Sequence, residues 1–207
     1  MKVLVVGAAG KTGRAVVAKA VEAGHEVTAF VRTADGYDVP GVRVHAGDAR
    51  DADVVGAAVA GQDAVIDTVG GKTPYKRTTL ETGVAKTIIA AMRLHGVRRL
   101  VVTSSVGVGD SIANTPFLVR IVVATFLRAS TPDKATMEAA VRESGLDWVI
   151  TRPAVLTDKP ATGRIEVIPS GGPGKARAIP RADLAEFLVA RLTGGEHLGT
   201  AVTLGGR

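Results

Sequence analysis

Three glycines spaced three residues apart, Gly7, Gly10 and Gly13, constrain the fold of this chain more than any other feature. They follow the apolar run Val3–Val6, and the stretch Lys11–Ala23 after them has helical periodicity. In such a strand–loop–helix unit the glycines allow a tight turn, close approach of a diphosphate and close packing of helix on strand, while the helix N-terminus attracts an anion. The pattern therefore predicts a dinucleotide-binding loop rather than an ordinary turn. The predicted contacts are Gly7, Ala9, Gly10, Lys11, Thr12 and Gly13.

Strand and helix patterns alternate along the rest of the 207 residues. The predicted strands are Val3–Val6, Val27–Val31, Val42–His45, Ala64–Asp67, Arg99–Thr103, Trp148–Thr151 and Ala201–Leu204. The predicted helices are Lys11–Ala23, Asp51–Ala60, Thr78–Leu94, two that start near Thr115-Pro116 and Thr131-Pro132, and Asp183–Leu192, while Ile165–Ile168 and Lys175–Ile179 read as a hairpin. With no long linker, this order predicts one α/β domain over residues 1–207. We expect a Rossmann-type doubly wound, mostly parallel sheet with helices on both faces and a small C-terminal substrate-side region.

Composition excludes several classes of function. Apolar residues make up 46% of the chain but aromatic residues only 3%, which suits buried parallel strands and argues against a nucleic-acid stacking platform. The absence of cysteine excludes disulfides, thiolate catalysis and cysteine-ligated zinc. The four histidines are dispersed, so we expect no metal site. The net charge of +6 comes from scattered basic residues, so it indicates a solvated surface rather than a nucleic-acid partner.

The apolar segments are too short to target or cross a membrane. The apolar run before Gly7 is shorter than a signal peptide requires, and the longest later run, Pro116–Leu127, contains Arg120. We therefore expect a cytoplasmic protein without a membrane partner, present as a monomer or a small homo-oligomer. The run Pro116–Leu127 could be a lid, an oligomer surface or core.

The residues after the second strand indicate which cofactor is preferred. NAD sites tend to carry an acid there for the ribose hydroxyls, whereas NADP sites accept the 2′-phosphate with an arginine. This chain has Arg32 at that place and no acid until Asp35. We therefore predict a preference for NADP(H) over NAD(H), the alternative being a solvent-facing arginine. Further strand ends should line the same crevice through Asp48 and Ala49 near the adenine and Val69 and Gly70 near a ribose.

Several segments together resemble the atypical short-chain dehydrogenase/reductase family, and within it the NADPH-dependent flavin reductase and biliverdin IXβ reductase branch. The likeness covers nearly the whole chain. The family that this chain resembles also includes the nitrogen-metabolite-repression regulators. The segments that carry it are Gly7–Gly13, Val31-Arg32, Gly47-Asp48, Thr103-Ser104-Ser105, Ser144–Trp148 and Arg152-Pro153. The resemblance implies hydride transfer from NADPH to a flavin, quinone or similar small planar acceptor.

The resemblance also implies roles for individual residues. Ser104 matches a serine near the nicotinamide, with Ser105 a second candidate, and Lys134 matches the lysine of the common Tyr-x-x-x-Lys catalytic pair. Further cofactor contacts are expected at Thr103, Pro153, Ala154 and Val155.

Two positions depart from the family pattern. Ser130 stands where the tyrosine of the catalytic pair would be, and serine is a poor replacement for that acid in carbonyl reduction. Val155 stands where the biliverdin-reducing relative has a histidine, which disfavours biliverdin as the physiological substrate. Alcohol dehydrogenase and epimerase chemistry are disfavoured for the first reason.

The reductase interpretation has a rival. A non-catalytic NADP(H)-binding redox sensor would also use the predicted cofactor site and would not need the tyrosine.

Two aromatic residues bear on the acceptor, because an aromatic side chain can stack on a planar ring. Tyr75 lies on a polar loop after the fourth strand and could stack on such a ring, whereas Trp148 is expected in the core.

Overall fold

A single eight-stranded sheet organises the residues that the computed structural model describes, which are 1–71, 77–117, 121 and 129–207. The strand order is β3-β2-β1-β4-β5-β6-β10-β8. The ten strands, two of them outside this sheet, are β1 Lys2–Val6, β2 Glu26–Val31, β3 Arg43–Ala46, β4 Ala64–Asp67, β5 Arg99–Thr103, β6 Asp147–Pro153, β7 Leu156–Thr157, β8 Ile165–Pro169, β9 Ile179–Pro180 and β10 Thr200–Gly206. All neighbours in the large sheet pair in parallel except β8 and β10, which are antiparallel.

Helices cover both faces of the sheet. They are α1 Lys11–Glu22, α2 Ala52–Val59, α3 Leu80–Leu94, α4 Thr131–Arg142 and α5 Arg181–Ala190, with a 3₁₀ helix at Gly109–Asn114. Alternate residues of each strand serve the two faces: Val5 packs towards α1 and α5, and Leu4 towards α2, α3 and α4. Because both faces are covered, the central strands β1, β4 and β5 are largely apolar and buried, as in other parallel sheets, whereas the edge strand β3 is partly exposed.

The strand order puts a crevice beside β1. Strand β1 lies between β2 and β4, because the chain places β2 and β3 on one side of β1 and β4 and β5 on the other. The connections after β1 and β4 therefore run in opposite directions and leave a gap at the carboxyl ends of these strands. Ligands of open α/β sheets bind at such a reversal of strand order. The predicted α/β fold, with its mostly parallel sheet and helices on both faces, is confirmed. Trp148 is only 8% exposed and belongs to the core, as predicted.

The predicted C-terminal hairpin is wrong. Strand β8 pairs with β10 instead, in an antiparallel ladder that runs from Val202↔Pro169 to Gly206↔Ile165. The second predicted arm does not join β8, and Ile179-Pro180 pairs with β7 in a separate two-stranded sheet. The turn residues between the arms favoured a local hairpin, but the open edge of β10 offered β8 a ladder of five residue pairs.

Two sequence predictions concern a part of the chain that the structure does not cover. Most of the helix predicted to start near Thr115-Pro116, and most of the run Pro116–Leu127, lies outside the described residues. The helix predicted near Thr131-Pro132 is α4. Within the described ranges, no helix is both long and apolar enough to span a bilayer.

Candidate functional site

A cleft of about 790 Å³ opens at the carboxyl edge of the sheet, where the strand order reverses. Its walls come from the ends of β1, β2, β3 and β4 and from the start of α3. Ten of the predicted cofactor residues line it: Gly7, Ala9, Gly10, Lys11, Thr12, Arg32, Asp48, Ala49, Val69 and Gly70. The structure therefore brings the predicted phosphate, adenine and ribose segments to one cavity.

The glycine loop is shaped by contacts that leave no room for side chains. Gly7 has a φ of +80°, and a Cβ there would lie 3.1 Å from the backbone of Thr68. Thr68 is itself fixed, because its hydroxyl donates a hydrogen bond to the carbonyl of Val6 at 2.8 Å. A Cβ on Gly13 would lie 2.2 Å from the Gly7 carbonyl oxygen. Gly13 thus does not line the cleft; it lets α1 pack against the loop.

The start of α1 offers an uncompensated positive end to an anion. Helix α1 begins at Lys11 directly after the loop, and its first turn contains no acidic residue. Its N-cap is Gly10, whose backbone N–H donates to the carbonyl of Gly7 at 2.9 Å. Free N–H groups and the helix dipole at this point favour a negatively charged group in the cleft.

The side of the cleft formed by the ends of β2 and β3 is open and charged. Arg32 is exposed at the end of β2, and the Asp48 carboxylate, after β3, is held by Arg50 at 2.6 Å. The hydrogen bond from the Arg50 guanidinium lowers the pKa of Asp48 to about 2, and the charge of Arg32 acts in the same direction. Asp48 is therefore an anion at neutral pH, with arginines on two sides. Both members of this ion pair are more than half exposed.

The opposite side of the cleft, at the carboxyl end of β4 and the start of α3, is buried and held by hydrogen bonds and an ion pair. Glu81 is 2% exposed, and its Oε1 accepts hydrogen bonds from the Gly71 N–H and from the Lys134 ammonium, both at 3.0 Å. The start of α3 is bound to α4 by the Asp133 carboxylate, which accepts from the N–H groups of Glu81 and Thr82 at 3.0 Å each. Lys134 does not line the cleft, but through Glu81 it connects to Gly71, which does.

Asp67, the last residue of β4, lies beside this network. It is 4% exposed, and one carboxyl oxygen accepts from the Val69 N–H at 2.9 Å. Burial raises the pKa of Asp67 to about 7; the Val69 N–H and the Lys134 charge oppose the rise, and the Glu81 charge adds to it. A carboxyl group that carries a proton well above its ordinary pKa thus sits directly under the cleft wall.

Thr103 and Ser104, at the end of β5 and directly after it, have hydroxyls without hydrogen-bond partners among the described residues. Ser104 is 4% exposed, and its N–H donates to the Thr151 carbonyl at 2.7 Å, which fixes its backbone against β6. The Ser104 and Thr103 hydroxyl oxygens are buried and have no hydrogen-bond partner in the described part of the chain. Neither residue lines the cleft. Both lie at the carboxyl edge of the sheet, one strand beyond Asp67.

The remaining predicted contacts lie further along this edge. Pro153 ends β6, Ala154 and Val155 follow it, and none of the three lines the cleft. The Ala154 N–H donates to the Leu204 carbonyl, and Val155 is 54% exposed. Tyr75 lies outside the described residues. No group of three or more histidines and acids suited to a metal ion occurs among the residues that are described.

Sequence reasoning missed several residues of this site. Leu80 and Val84 line the cleft from one face of α3, and their spacing of four residues was the available signal. Arg181, the first residue of α5, also lines it, although nothing near it in the sequence suggests a ligand. Glu81 was missed because its role depends on Lys134, 53 positions away.

Comparison with known proteins identifies the family. A model of the NAD(P)H-binding family matches residues 7–194. The chain belongs to this family. An uncharacterised chloroplastic protein of Arabidopsis thaliana is 29% identical to this NAD(P)H-binding protein over 185 residues, which is 81% of the chain and 64% of the relative. A 2-alkyl-3-oxoalkanoate reductase of Stenotrophomonas maltophilia is 40% identical over 112 residues, 51% of the chain and 33% of the relative. The chain thus spans less than two thirds of either relative's length.

Solved structures match the NAD(P)H-binding protein over its full length. ChuY, an anaerobillin reductase of Escherichia coli O157:H7, superposes with a TM-score of 0.80 at 27% identity and covers 100% of this chain and 97% of its own. A short-chain dehydrogenase/reductase of Veillonella parvula in complex with NADP has a TM-score of 0.80 at 17% identity, covering 99% and 94%. The second likeness concerns the fold alone.

Proposed function

We propose that the protein is an NADPH-dependent reductase that transfers hydride to a flavin, a quinone or a similar planar acceptor. The observation that carries the proposal is a single cleft that joins the glycine loop, Arg32 and the buried network at the end of β4. This chain resembles ChuY, a reductase, over its whole length, and that likeness supports the same class of activity.

The residues present fit a dinucleotide. The glycine loop is a cradle that side chains would fill, and the start of α1 is suited to the diphosphate. Asp48 and Ala49 would lie beside the adenine, and Val69 and Gly70 beside a ribose. Thr103 and Ser104, whose buried hydroxyls have no hydrogen-bond partner among the described residues, lie at the same edge of the sheet, where the nicotinamide end is proposed to bind. When bound, the nicotinamide supplies the hydride.

Arg32 is the residue proposed to select NADPH. Its guanidinium can bind the 2′-phosphate through two charged hydrogen bonds, a geometry that lysine does not reproduce. Asp48 stays close as an anion, but Arg50 already neutralises it. A phosphate near Arg32 therefore meets a side of the cleft with surplus positive charge.

Ser104 is proposed to orient the nicotinamide or the acceptor, and Lys134 is proposed to act through Glu81. The Glu81 carboxylate accepts from the Lys134 ammonium and from the Gly71 N–H, and Gly71 lines the cleft. Asp133 binds the start of α3 to α4, the helix that carries Lys134. Hydride transfer between stacked rings needs mainly proximity and exclusion of water, which agrees with Ser130 in place of a catalytic tyrosine.

The test is a titration of the purified protein with NADPH and NADH, followed by NADPH oxidation with FMN, riboflavin and a small quinone. We expect tighter binding of NADPH, turnover with at least one acceptor, and loss of about tenfold in NADPH affinity for Arg32→Ala with NADH affinity kept. Arg98→Ala is the matched control. Arg98 is exposed, lies just before β5 and pairs with Asp147, the first residue of β6, so the pair lies at the amino ends of the strands and away from the cleft. Binding of NADPH without oxidation of any acceptor would refute the reductase.

A non-catalytic NADP(H) sensor is the second candidate. It is favoured by one feature of the site: Lys134 is bound by Glu81, and no tyrosine stands four residues before it. A partner protein captured with NADPH but not with NADP, together with absence of turnover, would support the sensor.

A further inference from the structure

A carboxylate bridges two cations beside the glycine loop. Asp158 accepts a hydrogen bond from the Lys11 ammonium at 2.8 Å through one oxygen and from the Arg181 guanidinium through the other. Lys11 is the first residue of α1, and Arg181 is the first residue of α5. Both cations line the cleft.

The small sheet explains why Asp158 and Arg181 meet. Strands β7 and β9 pair in parallel with Thr157 opposite Pro180, so the next residue of each strand is brought to the same place. These next residues are Asp158 and Arg181. The pair is therefore built into the fold, although 23 positions separate the two residues in the sequence.

The two cations stand at unusual positions. A positive side chain in the first turn of a helix is unfavourable with respect to the helix dipole, yet both helices begin with one. The Arg181 side chain is only 21% exposed, against 73% for Lys11 and 60% for Asp158. Arg181 is thus a fixed cation facing the loop, whereas Asp158 is an exposed partner that is easily displaced.

We infer that Arg181 binds the cofactor diphosphate and that Asp158 competes with the diphosphate for Arg181 and Lys11. A diphosphate carries more negative charge than one carboxylate, and it lies where the glycine loop and α1 already favour an anion. Cofactor binding then exchanges one anion for another on the same two cations. The contact of Lys11 and Arg181 with Asp158 lowers the pKa of this carboxyl group, so Asp158 competes as an anion at neutral pH. This inference rests on the cofactor binding of the proposed function and not on turnover.

Two fragments of the cofactor separate this site from the Arg32 site. ADP carries the diphosphate without a 2′-phosphate, and 2′-AMP carries the 2′-phosphate without a diphosphate. Titration calorimetry of Arg181→Ala is expected to show ADP and NADPH binding weakened about tenfold or more, with 2′-AMP binding unchanged. Arg32→Ala should show the opposite selectivity. Arg181→Lys, which keeps the charge but not the fork, should fall between Arg181→Ala and the unchanged protein.

Asp158→Asn tests the competition. It keeps the side-chain shape and removes the charge, so ADP and NADPH should bind several-fold more tightly, and most of this gain should vanish in the Arg181→Ala background. Arg191→Ala is the matched control, because Arg191 pairs with Glu196 at the other end of α5. Unchanged ADP affinity in Arg181→Ala, an equal loss for 2′-AMP, or weaker ADP binding in Asp158→Asn would each overturn the inference. None of these readouts uses an acceptor, so failure of the reductase activity would be seen separately.

Discussion

The two sides of the cleft handle charge in opposite ways. On the side formed by the ends of β2 and β3, Asp48 and Arg50 are paired in solvent, where each is also free to be hydrated. At the end of β4, Asp67, Glu81 and Lys134 are withdrawn from solvent and depend on one another. Exposed pairs contribute little to stability, whereas buried charges are costly when a partner is lost. We therefore expect the exposed side to tune ligand binding and the buried side to tie ligand binding to folding.

Asp67→Asn should have the largest effect on the free energy of unfolding, and this effect should depend on pH. The pKa of Asp67 is about 7 in the folded protein, whereas its ordinary value is 3.8, so between these values the folded state holds a proton that the unfolded chain has lost. The Asp67 contribution to the free energy of unfolding is thus full below about pH 4 and decreases as pH rises to about 7. The difference between the two pKa values corresponds to roughly 4 kcal/mol at most. The variant should lack this decrease.

The measurement is urea unfolding of both proteins at several pH values from about 4 to about 8, which spans the window in which Asp67 titrates. The difference between the variant and the unchanged protein removes the contribution of the other titrating groups. Asp63→Asn, the same substitution at an exposed residue just before β4, controls for loss of a negative charge. Parallel pH profiles for Asp67→Asn and the unchanged protein would show that folding does not raise the pKa of Asp67.

Lys134→Met should have the next largest effect. Removing the ammonium leaves the buried Glu81 carboxylate with the Gly71 N–H as its one remaining partner among the described residues, at a cost of about 3 kcal/mol in the free energy of unfolding. The double variant Lys134→Met/Glu81→Gln should recover most of this loss, because no buried charge is left alone. A double-mutant cycle by urea unfolding measures the coupling. A double variant less stable than Lys134→Met would contradict the interpretation.

The sequence was sufficient for the central parallel strands and for the strand-end residues that line the cleft. The predicted bounds of β4 and β5, Ala64–Asp67 and Arg99–Thr103, are those observed, because buried parallel strands are apolar runs between turns. The glycine loop was predictable because its glycine spacing and the strand and helix that flank it lie in one short segment. The predicted phosphate, adenine and ribose residues line one cleft because the carboxyl ends of parallel strands meet at one edge of the sheet.

The rest of the site depends on contacts between distant segments. Glu81 reaches Lys134 only because α3 packs on α4, and no spacing along the chain encodes that packing. Arg181 meets Asp158 through two strands of two residues each, too short to give a periodic pattern. The wrong hairpin has the same origin: local turn residues were visible, and the distant edge of β10 was not.

Arg50→Ala should have the smallest effect on stability and so completes the comparison. Arg50 and Asp48 are both more than half exposed, and their pairing replaces contacts that water supplies equally well. We expect the midpoint of thermal unfolding to stay unchanged within error. Ligand binding should nevertheless respond, because Asp48 loses the hydrogen bond that holds its pKa at about 2 and its charge then acts on Arg32 without compensation. The affinity for 2′-AMP should therefore fall while that for ADP changes less. A loss of stability as large as that of Lys134→Met would remove the distinction between the two sides of the cleft.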